Sequence, residues 1–193
     1  GEYARGIGPD VADECGFPAI VKPNREGSTI GVTVVHSADG VRAAVEEALR
    51  HDTSVLIEKF VRGREITVGI LGAHDLQMLP IVEIRPRSGF YDYEAKYTAG
   101  LTEKIVPAPL DEPVAARALR AAELTHRAIG CSGMSRVDLI VPEDGEAPTV
   151  LEVNTIPGMT PTSLLPRAAQ AAGIPFTDLI SRIIECGVEE GAR

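Results

Sequence analysis

Apolar positions along this chain change period several times, and the changes mark its elements. Residues 135–160, SRVDLIVPEDGEAPTVLEVNTIPGMT, hold two runs of alternating apolar and polar residues around an acidic turn that contains Gly145. Period-two alternation predicts strands, and two such runs about a turn predict a β-hairpin. Successive strand side chains point to opposite faces, so Arg136, Asp138 and Ile140 share one face and Val137, Leu139 and Val141 the other. On the second arm Val150, Glu152 and Asn154 oppose Leu151 and Val153. A tip at Asp144, Gly145 and Glu146 lets both apolar sides bury together, because a one-residue slip would flip a strand. That register sets Asp138 opposite Glu152 and Arg136 opposite Asn154.

The rest of the chain reads in the same way. A short helix near Pro9 to Cys15 leads into a buried strand, Phe17 to Pro23, and a second strand runs from Val32 to Val35. Ser37 is placed to cap a helix from Ala38 to about Arg50, with Val41, Val45 and Leu49 one helical repeat apart. Ser54 to Val61 is a strand leaving through Arg62-Gly63-Arg64, and Ile66 to Leu71 and Leu79 to Ile84 form an antiparallel pair. The stretch between Pro86 and Pro107 holds Tyr91, Tyr93 and Tyr97 and follows neither period. A loop of about twenty residues inside a compact domain is uncommon unless it is functional, a lid being the usual case and a packed surface Ω-loop the alternative. Asp111, Glu112 and Pro113 open a helix that Gly130 closes. A further helix runs from near Ser163 through Ala172, and Thr177 caps a short one through Cys186 whose Leu179, Ile180, Ile183 and Ile184 face inward.

Composition narrows the class. With 193 residues, 44% hydrophobic and 24% charged, the chain is an ordinary globular one. A net charge of −9 without a Lys/Arg-rich run argues against a nucleic-acid partner. Cys15, Cys131 and Cys186 are odd in number and form no C-x-x-C pair, as expected of reduced thiols in a cytoplasmic protein. His36, His51, His74 and His126 lack metal-ligand spacing. No apolar run reaches membrane-span length and no signal-peptide pattern opens the chain, so no membrane partner is expected. The first residue, Gly1, points to a processed or truncated start.

Two places carry chemistry. Directly opposed strand residues have Cβ atoms roughly 4.5–5.5 Å apart, so Asp138 and Glu152 would repel unless a cation sat with them. Mg²⁺ suits Asp, Glu and Asn oxygens together with waters and phosphates; a solvated hairpin face with Arg136 pairing a carboxylate is the alternative. The connection Asn24-Arg-Glu-Gly27-Ser28-Thr29-Ile-Gly31 can fold backbone N–H groups over an anion beside Lys22. It lacks the G-K-[ST] ending of a Walker A loop, and a tight hairpin is its alternative.

Residues 152–160, EVNTIPGMT, closely resemble the E-x-N-T-x-P-G-x-T segment of D-alanine–D-alanine ligases, members of the ATP-grasp superfamily. Arg136-Val-Asp138, the VKPNREGSTIG stretch from Val21, the IEKF strand from Ile57 and the FYDYEAKY loop from Phe90 resemble the same family, with Thr29 in place of its second serine. The resemblance runs from Phe17 onward. It implies an α+β ATP-grasp fold, two lobes each with a mainly antiparallel sheet and packed helices, nucleotide between them. The boundary is expected at 64/65, the small lobe carrying the phosphate loop and adenine strand and the large lobe the lid, metal hairpin and acceptor site.

The implied roles follow residue by residue. Lys22, Ser28 and Lys96 meet ATP phosphates, Glu58, Lys59 and Val61 the adenine, and Glu65 the ribose. Asp138, Glu152 and Asn154 hold two Mg²⁺ ions, Mn²⁺ being the alternative metal. Arg136 and the Gly158 N–H stabilise an oxyanion, Tyr97 closes over the acceptor toward Ser28, and Ser163 and Leu164 take the carboxylate of the second D-alanine. Ligases of this family carry an additional amino-terminal domain, so the chain is expected to be the ATP-binding catalytic portion, inactive alone, of an enzyme that works as a homodimer. Another ATP-grasp carboxylate–amine ligase, with D-lactate or D-serine acceptors among them, and a non-catalytic nucleotide-binding module are the other readings.

Overall fold

The structure, a computed structural model, describes residues 7–27, 29–86 and 102–191. They form two compact units, 7–61 and 62–86 with 102–191.

In the first unit β1 (Ala19–Pro23) pairs antiparallel with β2 (Thr33–Val35) and β3 (Val55–Lys59), in the order β2-β1-β3. Helices α1 (Ile7–Glu14) and α2 (Ala38–Ala48) close the core with Val11, Ala19, Val21, Val35, Val41 and Val45. The inward face of α2 is completed by Ala44 and Ala48, while Leu49, expected to face inward, lies past the helix end and is 48% exposed.

The second unit is a sheet in the order β7-β6-β4-β8-β9, with β5 paired to β4. Its strands are β4 (Gly63–Leu71), β5 (Gln77–Met78), β6 (Val82–Pro86), β7 (Thr102–Ile105), β8 (Met134–Pro142) and β9 (Thr149–Asn154). Every pairing in it is antiparallel. Helix α3 (Glu112–Ile129) covers one face, its Ala118 and Ala122 packing with Ile66, Val68, Ile70, Val137 and Leu139. Small residues on the helix allow this close approach. The helix starts after Asp111 and ends at Gly130 with φ 73°, as the sequence predicts. Glu83 is buried on this face, accepting from Arg64 Nε and Nη2 at 3.0 and 2.8 Å and from Arg85 Nη2 at 3.1 Å.

The opposite face carries Glu65, Thr67 and Gly69 of β4 beside Ile140, Asp138 and Arg136 of β8. Helix α4 (Leu164–Ala171) closes one end of it, so tightly that a Cβ on Gly69 would stand 2.7 Å from Leu165 Cδ1. Helix α5 (Phe176–Gly191) follows.

Several expectations change. The hairpin arms end at Pro142 and Thr149, a longer connection than a three-residue tip. Between Asp138 and Leu139 the register shifts, because Leu139 pairs with Val150 while Asp138 keeps Glu152. Leu151 is therefore an extra residue, a bulge that reverses side-chain parity along β9. Val150 packs into the core with Val153, and Leu151, expected inside, is 40% exposed. Strand β7 occupies part of the stretch read as loop, since four residues offer too few alternations to reveal a period. Leu79 to Ile81 connect β5 to β6 rather than opening a strand. Helix α5 outruns Cys186, contains Thr177 and leaves Ile184 59% exposed.

Candidate functional site

The hairpin sets its polar residues as expected. Arg136 pairs with Asn154 and Asp138 with Glu152 across β8 and β9, so two carboxylates occupy one directly opposed position. Asp138 is 6% exposed. Arg136 closes on it as a fork, Nε to Oδ1 at 2.9 Å and Nη2 to Oδ2 at 2.7 Å. The pairing left as an alternative to the metal is thus present. Each carboxylate oxygen accepts more than one partner, so the fork does not exhaust Asp138. Asn154 Oδ1 accepts the Ile156 N–H at 3.2 Å and bends the chain out of the strand.

No cluster of three or more His, Cys, Asp or Glu suited to a metal forms among the described residues. The donor set here is smaller, two carboxylates and one amide. It fits Mg²⁺, which takes one or two carboxylates and completes its shell with waters and phosphate oxygens. Glu65 stands on the same face, paired with Ile140 on one side and Ile84 on the other.

Beyond β9 the chain brings Gly158 and Ser163 together, for a Cβ on Gly158 would lie 3.0 Å from Ser163 Oγ. Ser163 occupies the N-cap position of α4 without a side-chain cap bond. Its Oγ instead accepts the Thr160 N–H at 3.1 Å and shares a hydrogen with Thr160 Oγ1 at 2.8 Å. The first helical residue, Leu164, is buried.

In the first unit Lys22 pairs with Glu58 across β1 and β3. The loop after β1 folds through Thr29 at φ 64° and Gly31 at φ 68°. A Cβ on Gly31 would press on Pro23 Cγ at 2.9 Å and on His51 Cδ2 at 2.8 Å, which reserves the position for glycine. Within this loop the Ile30 N–H donates to Gly27 O at 3.2 Å and the Val32 N–H to Thr29 O at 3.4 Å, so these two amides are turned inward. Among the described residues β3 is an edge of its sheet. Phe60 N–H donates inward to Pro18 O at 3.1 Å, so by antiparallel alternation Lys59 and Val61 turn their backbone groups to the open edge. Ser28, Lys96 and Tyr97 lie outside the described residues, as does the whole FYDYEAKY segment.

Two residues on the hairpin's polar face escape the sequence reading. Thr67 is buried opposite Asp138 and donates its hydroxyl to Val137 O at 3.2 Å. Lys104 of β7 pairs with Ile84, next to Glu65, and its Nζ donates to Thr162 O at 2.9 Å. Burial holds the Lys104 ammonium below the usual lysine range, helped by Arg167 and Arg136 nearby.

A mainly antiparallel pair of α+β units with such a hairpin is the architecture of ATP-grasp ligases. Residues 5–185 match the family described as D-ala D-ala ligase C-terminus, and the chain belongs to that family. It is 47% identical over 175 residues to the D-alanine–D-alanine ligase of Halalkalibacterium halodurans, covering 90% of this chain and 57% of that one. The ligase of Syntrophotalea carbinolica is 51% identical over 168 residues, covering 87% and 53%. Among solved structures, the Bacillus anthracis D-alanine–D-alanine ligase complexed with ATP superposes with a TM-score of 0.76 at 39% identity, over 93% and 56% of the two chains. The VanG D-Ala:D-Ser ligase of Enterococcus faecalis superposes at 0.80 and 35%, over 92% and 52%. The chain thus spans about half the length of the curated relatives it matches.

Proposed function

We propose that this chain is the ATP-, magnesium- and acceptor-binding part of a cytoplasmic ligase that joins two D-alanines into a peptidoglycan precursor. The observation that supports this most is the direct pairing of Asp138 with Glu152, flanked by Arg136 and Asn154. Mg²⁺ held by Asp138, Glu152 and Asn154 would neutralise charge on the phosphates of ATP. Lys22 and Lys96 add positive charge there, Glu58, Lys59 and Val61 serve the adenine, and Glu65 serves the ribose.

The first D-alanine's carboxylate attacks the γ-phosphorus, releasing ADP and leaving an acyl phosphate. The second D-alanine's amine then attacks the acyl carbon, and inorganic phosphate departs with the peptide bond made. Arg136 and the Gly158 N–H donate to the oxyanion of that step, and Ser163 with the Leu164 N–H takes the acceptor carboxylate. Ser28 and Tyr97 cover the acceptor against water, which would hydrolyse the acyl phosphate.

Removing one oxyanion donor of this kind slows turnover about 10²- to 10³-fold. In the enzyme completed with the family's amino-terminal domain, Arg136→Ala should therefore lower D-alanine-dependent ADP release far more than it weakens ATP binding, and equal losses in both would remove the role assigned to Arg136. Similarity to the D-Ala:D-Ser enzyme favours D-serine as the second acceptor to test. In the completed enzyme, ADP release with D-alanine exceeding that with D-serine supports the first reading, the reverse order supports the second, and ATP binding without either supports a plain nucleotide-binding module.

A further inference from the structure

We propose that Lys104 is a positioning residue, a clamp from β7 that holds the Thr160–Ser163 turn in the shape that receives the acceptor's carboxylate. This rests on the assignment of Ser163 and Leu164 to that carboxylate. Lys104 stands on the polar face of the sheet in the row Lys104, Ile84, Glu65. From there its Nζ reaches across 58 residues of sequence to the Thr162 carbonyl, 2.9 Å away. The carbonyl it holds belongs to the residue just before Ser163.

The turn is already closed on itself, Ser163 N–H to Thr160 O at 2.9 Å and Ser163 Oγ to the Thr160 amide and hydroxyl. Bonds of this kind fix the turn's internal shape but not its placement on the sheet. Its C-terminal side is placed by packing, because Leu165 sits on Gly69. Lys104 supplies a second fixed point at Thr162. A half-buried ammonium carries a desolvation cost that a carbonyl acceptor offsets, and a charge-assisted bond is stronger than a neutral one. Arg167 and Arg136 lie close enough to act on Lys104, so cationic side chains gather beside the residue that holds Thr162.

The experiment uses this chain with Mg-ADP present and titrates D-alanyl-D-alanine against its C-terminal amide, which lacks the carboxylate. Lys104→Met should weaken the free dipeptide about tenfold, the order expected for one hydrogen bond to a charged group. Its affinities for the amide and for Mg-ADP should stay at wild-type values. Hydrogen exchange at the Thr160 and Ser163 amides, measured without ligand, should be faster in Lys104→Met and return toward wild type in Lys104→Arg. Dipeptide affinity and exchange both unchanged in Lys104→Met would overturn the clamp, as would an equal loss of dipeptide, amide and Mg-ADP that Lys104→Arg does not rescue. A Ser163→Ala variant that binds the dipeptide as wild type does would overturn the acceptor assignment instead, and the exchange rates would still decide whether Lys104 holds the turn.

Discussion

Replacing Arg136 with methionine keeps most of the side chain's stem and removes its fork. Arg136 and Asp138 are two residues apart on β8, with side chains 17% and 9% exposed and contacts at 2.9 and 2.7 Å. Without the guanidinium, the Asp138 carboxyl is left at a nearly closed position without its charge-assisted donors and faces Glu152 directly. Removing one partner of a buried pair costs about 3–5 kcal/mol, and of an exposed pair about 0–1. The partial exposure of Arg136 places this pair between the two, at about 2–3 kcal/mol. The uncompensated acids should then favour a divalent cation, so Mg²⁺ should recover part of the loss. Urea unfolding of wild type, Arg136→Met, Asp138→Asn and the double variant, each with and without Mg²⁺, measures both effects. The cycle should give a coupling of at least about 1 kcal/mol. Additive single losses, or an Arg136→Met variant within about 0.5 kcal/mol of wild type, the range of ordinary surface changes, would refute the reasoning.

Stability should also fall in acid in two windows. Burial first, then Arg127, pushes the His126 pKa below its ordinary 6.5. The unfolded chain therefore takes up that proton more readily, and this contribution is complete above about pH 6.5 and declines below it; His126→Gln should flatten the slope. The Arg64 hydrogen bond, the largest of several influences, holds the Glu83 carboxyl below its ordinary 4.5, so its contribution is present above that pH and fades as pH falls further. Glu83→Gln should remove this second decline in thermal unfolding scans. Gly63→Ala would set a Cβ 2.2 Å from Val141 O, so the start of β4 must part from β8. A loss of about 1–3 kcal/mol is expected from such overpacking, and a wild-type midpoint in urea would contradict the close approach. The Lys22–Glu58 pair is partly exposed, 24% and 43%, so Lys22→Ala should leave stability within about 0.5 kcal/mol while lowering ATP affinity. Calorimetry and unfolding on the same sample separate the two.

The hairpin was legible because its inner half obeys strict alternation, which carries Arg136, Asp138, Glu152 and Asn154 to their places without tertiary information. The outer half was not. A bulge is a one-residue event, and Leu151 and Val150 are both apolar, so nothing in composition says which of them turns inward. Helix α3 was readable from its Asp111 and Gly130 ends, whereas α5 runs on through Gly187, a residue that more often ends a helix, to Gly191. Lys104 was hidden by its surroundings, a four-residue strand after an aperiodic stretch. Its partner at Thr162 exists only once β7 and the α4 approach are folded together. The ion pair of Lys22 with Glu58 joins two strands and is left open by residue types alone, whereas that of Arg136 with Asp138 joins neighbours on one face of β8 and was in view as the alternative to a metal.

The central claim, that Asp138 and Glu152 with Asn154 hold magnesium for ATP, is tested most directly by calorimetric titration of this chain with ATP in the presence and absence of Mg²⁺. ATP should bind markedly tighter with the metal. Glu152→Gln and Asp138→Asn should each erase most of that difference while leaving metal-free binding unchanged. Equal ATP affinity with and without Mg²⁺, or an undiminished magnesium effect in both variants, would contradict the account.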